Sequence, residues 1–139
     1  MILARSSSNK KNKRRGATRI LLVEDEPVFQ HLHFLMLEEL GCCVDLAETG
    51  EQTLASAMHP YDIIFMDIGL PDIRGTAVIN QIRHSNSITK DTPIIVLTAY
   101  NKNEIEEECL AAKANEIFSK PITSENFNII LKKYIKDNS

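Results

Sequence analysis

The chain has 139 residues, 43% hydrophobic and only 6% aromatic, enough for one domain with an aliphatic core and no need of disulfide or metal staples. Its net charge of −3 is uneven: residues 1–19 hold seven basic and no acidic residues, so the rest carries nine basic against all 19 acidic, a balance of −10. An acidic body argues against general nucleic-acid binding, and with no apolar run long enough to span a bilayer and no signal-peptide core, a cytoplasmic protein without membrane insertion is expected.

Residues 1–18 lack apolar periodicity and are rich in Ser, Asn, Lys and Arg, which predicts a basic flexible tail ahead of a domain at 19–139. The basic run Lys10 to Arg15 could touch nucleic acid or anionic lipid, but a solvated linker is the expectation, so no nucleic-acid partner is expected. Arg19 to Val23 is an apolar run that ends in Glu24-Asp25-Glu26. Pro27 suits a first helical position, and Val28, Leu32, Leu35, Met36 and Leu40 carry a helical period up to the stop at Gly41. His31 and His33 lie two apart and cannot share a helix face, so surface positions are expected for them and no metal role. Cys43 to Ala47 reads as a strand. Cys42, Cys43 and Cys109 have no CxxC spacing and read as free thiols in a reducing compartment.

A short amphipathic helix is predicted from Gly50 to Met58, with Leu54 and Met58 four apart. The run Ile63-Ile64-Phe65-Met66 then ends abruptly in Asp67, as a strand buried on both faces would end at a loop. Gly75 to His84 is helical, with Val78, Ile79 and Ile82 on one face. Thr92 to Thr98 is a further buried strand, ending in a hydroxyl. An acidic helix follows at 102–113, then a short strand from Glu116 that ends in Lys120 and is stopped by Pro121. Ser124 to Lys136 forms the last helix, with Phe127, Ile130, Leu131 and Tyr134 inward. Strands alternating with helices through short connections predict a doubly wound, parallel α/β sheet. Neither a GxGxxG nor a GxxxxGK[ST] motif supports nucleotide binding.

In the sheet order 2-1-3-4-5, the strands ending in Glu24-Asp25, Asp67, Thr98 and Lys120 would be neighbours, and in such sheets ligands bind at the carboxyl ends of the strands. Three carboxylates crowded at one edge call for a hard cation such as Mg²⁺. A hydroxyl and an ammonium opposite suit phosphoryl oxygens, and an Asp between metal and donors is placed to act as a nucleophile.

These residues carry a resemblance. Ile20-Leu-Leu-Val-Glu-Asp25, Met66-Asp-Ile-Gly-Leu-Pro-Asp-Ile-Arg-Gly75, Ile95-Val-Leu-Thr-Ala99 and Ser119-Lys-Pro121 resemble the receiver domains of bacterial two-component response regulators, over residues 19 to about 136. The pairing of Glu24 with Asp25, where Asp-Asp is frequent, is similar to receivers of hybrid histidine kinases; single-domain response regulators are also similar. The resemblance implies a flavodoxin-like (βα)5 three-layer sandwich with a parallel five-stranded sheet of order 2-1-3-4-5. It implies that Asp67 accepts a phosphoryl group from a phosphohistidine in a Mg²⁺-dependent reaction. Glu24, Asp25, Asp67 and the Gly69 backbone carbonyl would hold the metal. Thr98 and Lys120 would bind the phosphoryl oxygens, and the Lys120–Pro121 bond would be cis. Partners would be a histidine kinase or histidine phosphotransfer protein, with a downstream protein target on the face of the fourth helix, fifth strand and fifth helix.

Two further departures stand out. Ile117 occupies the position three before the lysine where Tyr or Phe is usual, and Lys113 stands where Gly is frequent. No effector motif is read after the last helix, and no kinase motif before the first strand. The expected protein is therefore a relay module or a switch for a protein target, with self-catalysed phosphorylation and dephosphorylation and no conventional turnover. The alternative is a phosphorylation-independent scaffold.

Overall fold

The computed structural model describes residues 17–135. The expected tail at 1–18 therefore lies outside the described residues, apart from positions 17 and 18. The Thr18 carbonyl accepts the Cys43 N–H at 2.8 Å.

The elements run β1 (Arg19–Val23), α1 (Pro27–Glu39), β2 (Cys43–Ala47), α2 (Gly50–Ser56), β3 (Ile63–Met66), α3 (Gly75–Arg83), β4 (Ile94–Thr98), α4 (Lys102–Ala111), β5 (Glu116–Ser119) and α5 (Ser124–Tyr134). All strand pairs are parallel, in the order β2-β1-β3-β4-β5. This is the flavodoxin-like order expected from the sequence.

The alternation along each strand builds two cores. Leu21, Val23, Ile64, Met66, Ile94 and Val96 face one side, where α2, α3 and α4 supply Leu54, Val78, Ile79, Ile82, Ile105 and Cys109. Ile20, Leu22, Ile63, Phe65, Ile95 and Leu97 face the other, against Leu37 of α1 and Phe127 and Ile130 of α5. Three layers result, and β1 after Arg19, β3, and β4 up to Thr98 are apolar because both of their faces are covered.

Two predicted faces need correcting. On α1 the buried residues are His33 and Leu37, whereas Val28, Leu32 and Leu35 are exposed. The helix carries apolar residues on more than one stripe, and packing against α5 selects the stripe through Phe29, His33 and Leu37. His33 is thus a core residue, fully buried against Phe127 at 5.6 Å between ring centroids. On α2 the helix ends at Ser56 and Met58 is exposed; Gly50, Thr53 and Ala57 are buried, with Leu54 half-buried. Small residues face inward there, which lets the helix lie close to the sheet.

Candidate functional site

Each strand that pairs in the middle of the sheet delivers its last residues to the same edge. Asp67 follows β3 directly, and its N–H still donates to the Val23 carbonyl of β1 at 3.1 Å. Glu24 follows β1 and donates its N–H to Ala47 at 2.9 Å. Lys120 follows β5, its N–H donating to the Thr98 carbonyl at 2.9 Å. Parallel pairing therefore brings Glu24, Asp25, Asp67, Thr98 and Lys120 together from positions far apart in sequence.

Lys120 Nζ donates to Glu24 Oε1 at 2.7 Å and lies 3.4 Å from Asp67 Oδ1. All three side chains are buried; even Asp67, the most accessible, is 8% exposed. Asp67 Oδ1 also accepts weakly from the Gly69 N–H, at 3.4 Å. The second Glu24 oxygen accepts the Glu26 N–H at 3.1 Å. Burial pushes the Glu24 carboxyl well above the usual carboxylate range, with Asp67 adding repulsion and Lys120 opposing. Burial and repulsion from Asp67 raise Asp25 as well. Thr98 is fully buried, and its hydroxyl accepts the Tyr100 N–H at 3.0 Å, which leaves the hydroxyl hydrogen free to donate.

One ligand atom from each of Glu24, Asp25 and Asp67 lies within 4.8 Å of the others. Three carboxylates face one ammonium, all oxygen donors and short of positive charge. That donor set fits a hard divalent cation, which takes one or two carboxylates and fills its other positions with water and phosphate oxygens.

Four residues that sequence reasoning gave no role support this edge. Gly75 opens α3 directly under Asp67: a Cβ there would overlap the Asp67 carbonyl oxygen and come within 2.9 Å of Ile68 Cα. Asp72 accepts the Gly50 and Glu51 N–H groups at 2.7 and 3.0 Å, capping α2 and tying down the loop after Asp67. Those backbone bonds hold its carboxyl below the usual range. Phe29 of α1 lies beneath Lys120, whose Nζ is 4.6 Å from the ring centroid. Tyr100 lies over Gly69 and carries the Arg74 guanidinium 5.4 Å from its ring centroid. Arg74 in turn forms a two-point ion pair with Glu108 of α4, which also accepts from Thr76. Asp72 and Gly75 lie within a motif visible in the sequence, but their contacts are long-range. Phe29 had no sequence signal beyond its place on an amphipathic helix. The Lys120–Pro121 bond is cis, as the resemblance implies.

A sequence model of the response regulator receiver domain matches residues 20–132. The chain belongs to the response regulator receiver domain family. It is 37% identical to the receiver domain of the sensor histidine kinase PA1611 from Pseudomonas aeruginosa PAO1, with a TM-score of 0.79 over 86% of this chain and 98% of that one. That structure is described with a magnesium ion coordinated in its active-site cleft. The chemotaxis protein CheY4 of Vibrio cholerae superimposes with a TM-score of 0.79 at 26% identity, covering 86% of this chain and all, 100%, of that one. Among full-length relatives, the transcription factor SKN7 of Saccharomyces cerevisiae is 32% identical over 88% of this receiver, which spans 20% of SKN7. The histidine kinase BarA of Escherichia coli K12 is 32% identical over 85% of it, and the receiver spans 13% of BarA. The chain is thus a two-component receiver domain, small beside these relatives. Among the described residues no helix is long and apolar enough to cross a membrane.

Proposed function

We propose that Asp67 is the phosphoacceptor of this receiver. The observation that carries the reading is the position of its carboxylate, 3.4 Å from the Lys120 ammonium and within 4.8 Å of the Glu24 and Asp25 ligand atoms. An Asp67 carboxylate oxygen attacks the phosphorus of a phosphohistidine. The P–N bond breaks, the imidazole departs with its electron pair and an acyl phosphate remains on Asp67. Lys120 and the Thr98 hydroxyl neutralise and hold the oxygens of the transferring group, so catalysis is positioning and charge compensation. Glu24, Asp25, Asp67 and the Gly69 carbonyl would hold Mg²⁺, which supplies charge neutralisation for carboxylates and phosphoryl oxygens alike. Hydrolysis is a separate second step at the same site: water attacks the phosphorus, the Asp67 O–P bond breaks, and the carboxylate is regenerated with release of inorganic phosphate.

The donor in this reading is a histidine kinase or histidine phosphotransfer protein, and the phosphoryl group is relayed onward or changes binding of a target. A groove of about 400 Å³ between α4 and β5, lined by Lys102, Glu106, Leu110, Ile117 and Phe118, is the candidate surface for such a target. The free thiols Cys42, Cys43 and Cys109 suit a reducing, cytoplasmic setting. The test is phosphorylation by acetyl phosphate with Mg²⁺, read by intact mass and peptide mapping. The wild type should gain one phosphoryl group on Asp67 and Asp67→Asn none; full modification of Asp67→Asn would overturn the assignment.

A further inference from the structure

His33 is a buried polar residue that the phosphoryl chemistry above does not use. It stacks on Phe29, with ring centroids 5.8 Å apart and planes 15° apart, and meets Phe127 edge-on. Its Nε2 accepts the Ile122 N–H at 3.3 Å. The proton of the neutral ring then sits on Nδ1, which has no hydrogen-bond partner among the described residues. A buried donor left unpaired costs about 1–3 kcal/mol. Phenylalanine would fill the same space without that cost. What histidine supplies in its place is an acceptor for the Ile122 N–H, two residues beyond Lys120. Ile122 is itself buried, so this N–H has little access to water.

A second contact leads to the same lysine. Phe29, held by the His33 ring, is the aromatic surface beneath the Lys120 ammonium, 4.6 Å from Nζ. One imidazole therefore fixes Lys120 twice, through the backbone that follows it and through the ring that underlies it. Burial, with Lys120 nearby, pushes the imidazole down to about 4, which keeps it neutral and Nε2 available as an acceptor.

We propose that His33 is a positioning residue for Lys120, holding the β5–α5 loop and Phe29 so that the ammonium stays aimed at the phosphoryl site. The proposal rests on the reading of Asp67 as phosphoacceptor. His33 contacts Ile122, Phe29 and Phe127 and reaches Glu24 and Asp67 only through Lys120, so phosphoryl transfer should suffer more than metal binding when it is replaced.

The experiment compares the full chain with His33→Phe, His33→Gln and His33→Asn. Acetyl phosphate serves as phosphodonor, and rates are expressed per folded molecule after thermal denaturation of each variant. Phenylalanine keeps the ring and loses the acceptor. The glutamine Oε1 reaches the place of Nε2; the asparagine Oδ1 does not. At saturating phosphodonor, His33→Phe should be phosphorylated about tenfold more slowly, while its half-saturating Mg²⁺ moves by less than about twofold. His33→Gln, which keeps the acceptor but not the ring against Phe29, should be faster than His33→Asn, which keeps neither, a pair that decides the matter even where His33→Phe fails to fold. Normal rates per folded molecule in the Phe or Asn variant, or equal losses in Gln and Asn, would reduce His33 to a core residue and overturn the proposal. Wild-type chain that stays unmodified, or Asp67→Asn that becomes modified, would instead overturn the Asp67 reading and this proposal with it.

Discussion

Lys113 turns the chain from α4 into β5 with φ at 73°, a left-handed conformation in which a Cβ crowds the following carbonyl. Glycine there removes that strain but gives back some of the gain as unfolded-chain entropy. Lys113→Gly should therefore raise stability by roughly 0.5–1 kcal/mol, read as a higher urea midpoint at unchanged slope. His33 makes a pH-dependent contribution of known sign. Its folded pKa, near 4, lies below the ordinary histidine value of 6.5, so the unfolded chain takes up the proton first as pH falls. The stability tied to the neutral ring is complete above 6.5 and is lost progressively between 6.5 and 4. Moving from pH 7.5 to 5 should cost the wild type about 2 kcal/mol more than it costs His33→Gln, measured by urea denaturation at both pH values. An equal cost would mean that the imidazole is charged in the fold.

At the level of elements, α3 is pressed against the end of β3 more closely than any side chain allows. The Gly75 N–H donates to the Ile68 carbonyl at 2.7 Å, and the site of its missing Cβ is filled by Asp67 and Ile68 backbone. Gly75→Ala should destabilise by about 1–3 kcal/mol and slow phosphorylation, because the displaced backbone carries Asp67. Gly69→Ala is the control: its Cβ would sit at ordinary contact distance, 3.5 Å, from the Tyr100 hydroxyl. Its stability should stay within about 0.5 kcal/mol of wild type. At the far end of α3, Arg83 holds the carbonyls of Lys90, Thr92 and Lys113 and the Asn115 side chain at 2.8–3.0 Å, joining the α3–β4 and α4–β5 connections. The helix is thus fixed at both ends, by backbone contact near the site and by a guanidinium opposite it.

Across the whole molecule, the carboxyl edge of the sheet concentrates negative charge that the fold does not fully compensate. Lys120 is a buried partner for Glu24 and Asp67, and such pairs gain little net stability while costing much when broken. Asp25 has no such ammonium within salt-bridge distance among the described residues. Mg²⁺ binding only to the folded edge should stabilise it by about 3 kcal/mol at a concentration 100 times the dissociation constant. Asp25→Ala should abolish most of that gain without lowering the metal-free melting temperature, since it removes a repulsive charge. Calorimetry with Mg²⁺ and with chelator checks both; an unchanged Mg²⁺ response in Asp25→Ala would remove it from the metal site.

Strand positions and the carboxylates, hydroxyl and ammonium that follow or end them were legible in the sequence. A strand covered on both faces must be apolar along its covered length, so Ile63 to Met66 and Ile94 to Leu97 stand out, and Asp67 and Thr98 mark where the apolar runs end. The stripe of α1 that faces the sheet was not legible. Val28, Leu32 and Leu35 are as apolar as the residues that are buried, and one of those buried is a histidine. Local periodicity shows that a helix is amphipathic, but the choice between two apolar stripes depends on what the partner offers. Phe127 and the Ile122 N–H, about 90 residues further along the chain, offer an aromatic edge and a buried donor that only His33 satisfies together. The same holds for Gly75 under Asp67 and for Lys120 between Glu24 and Asp67. Propensity and patterning act over a few residues, whereas steric overlap and the pairing of buried charges exist only once distant segments share the same few ångströms.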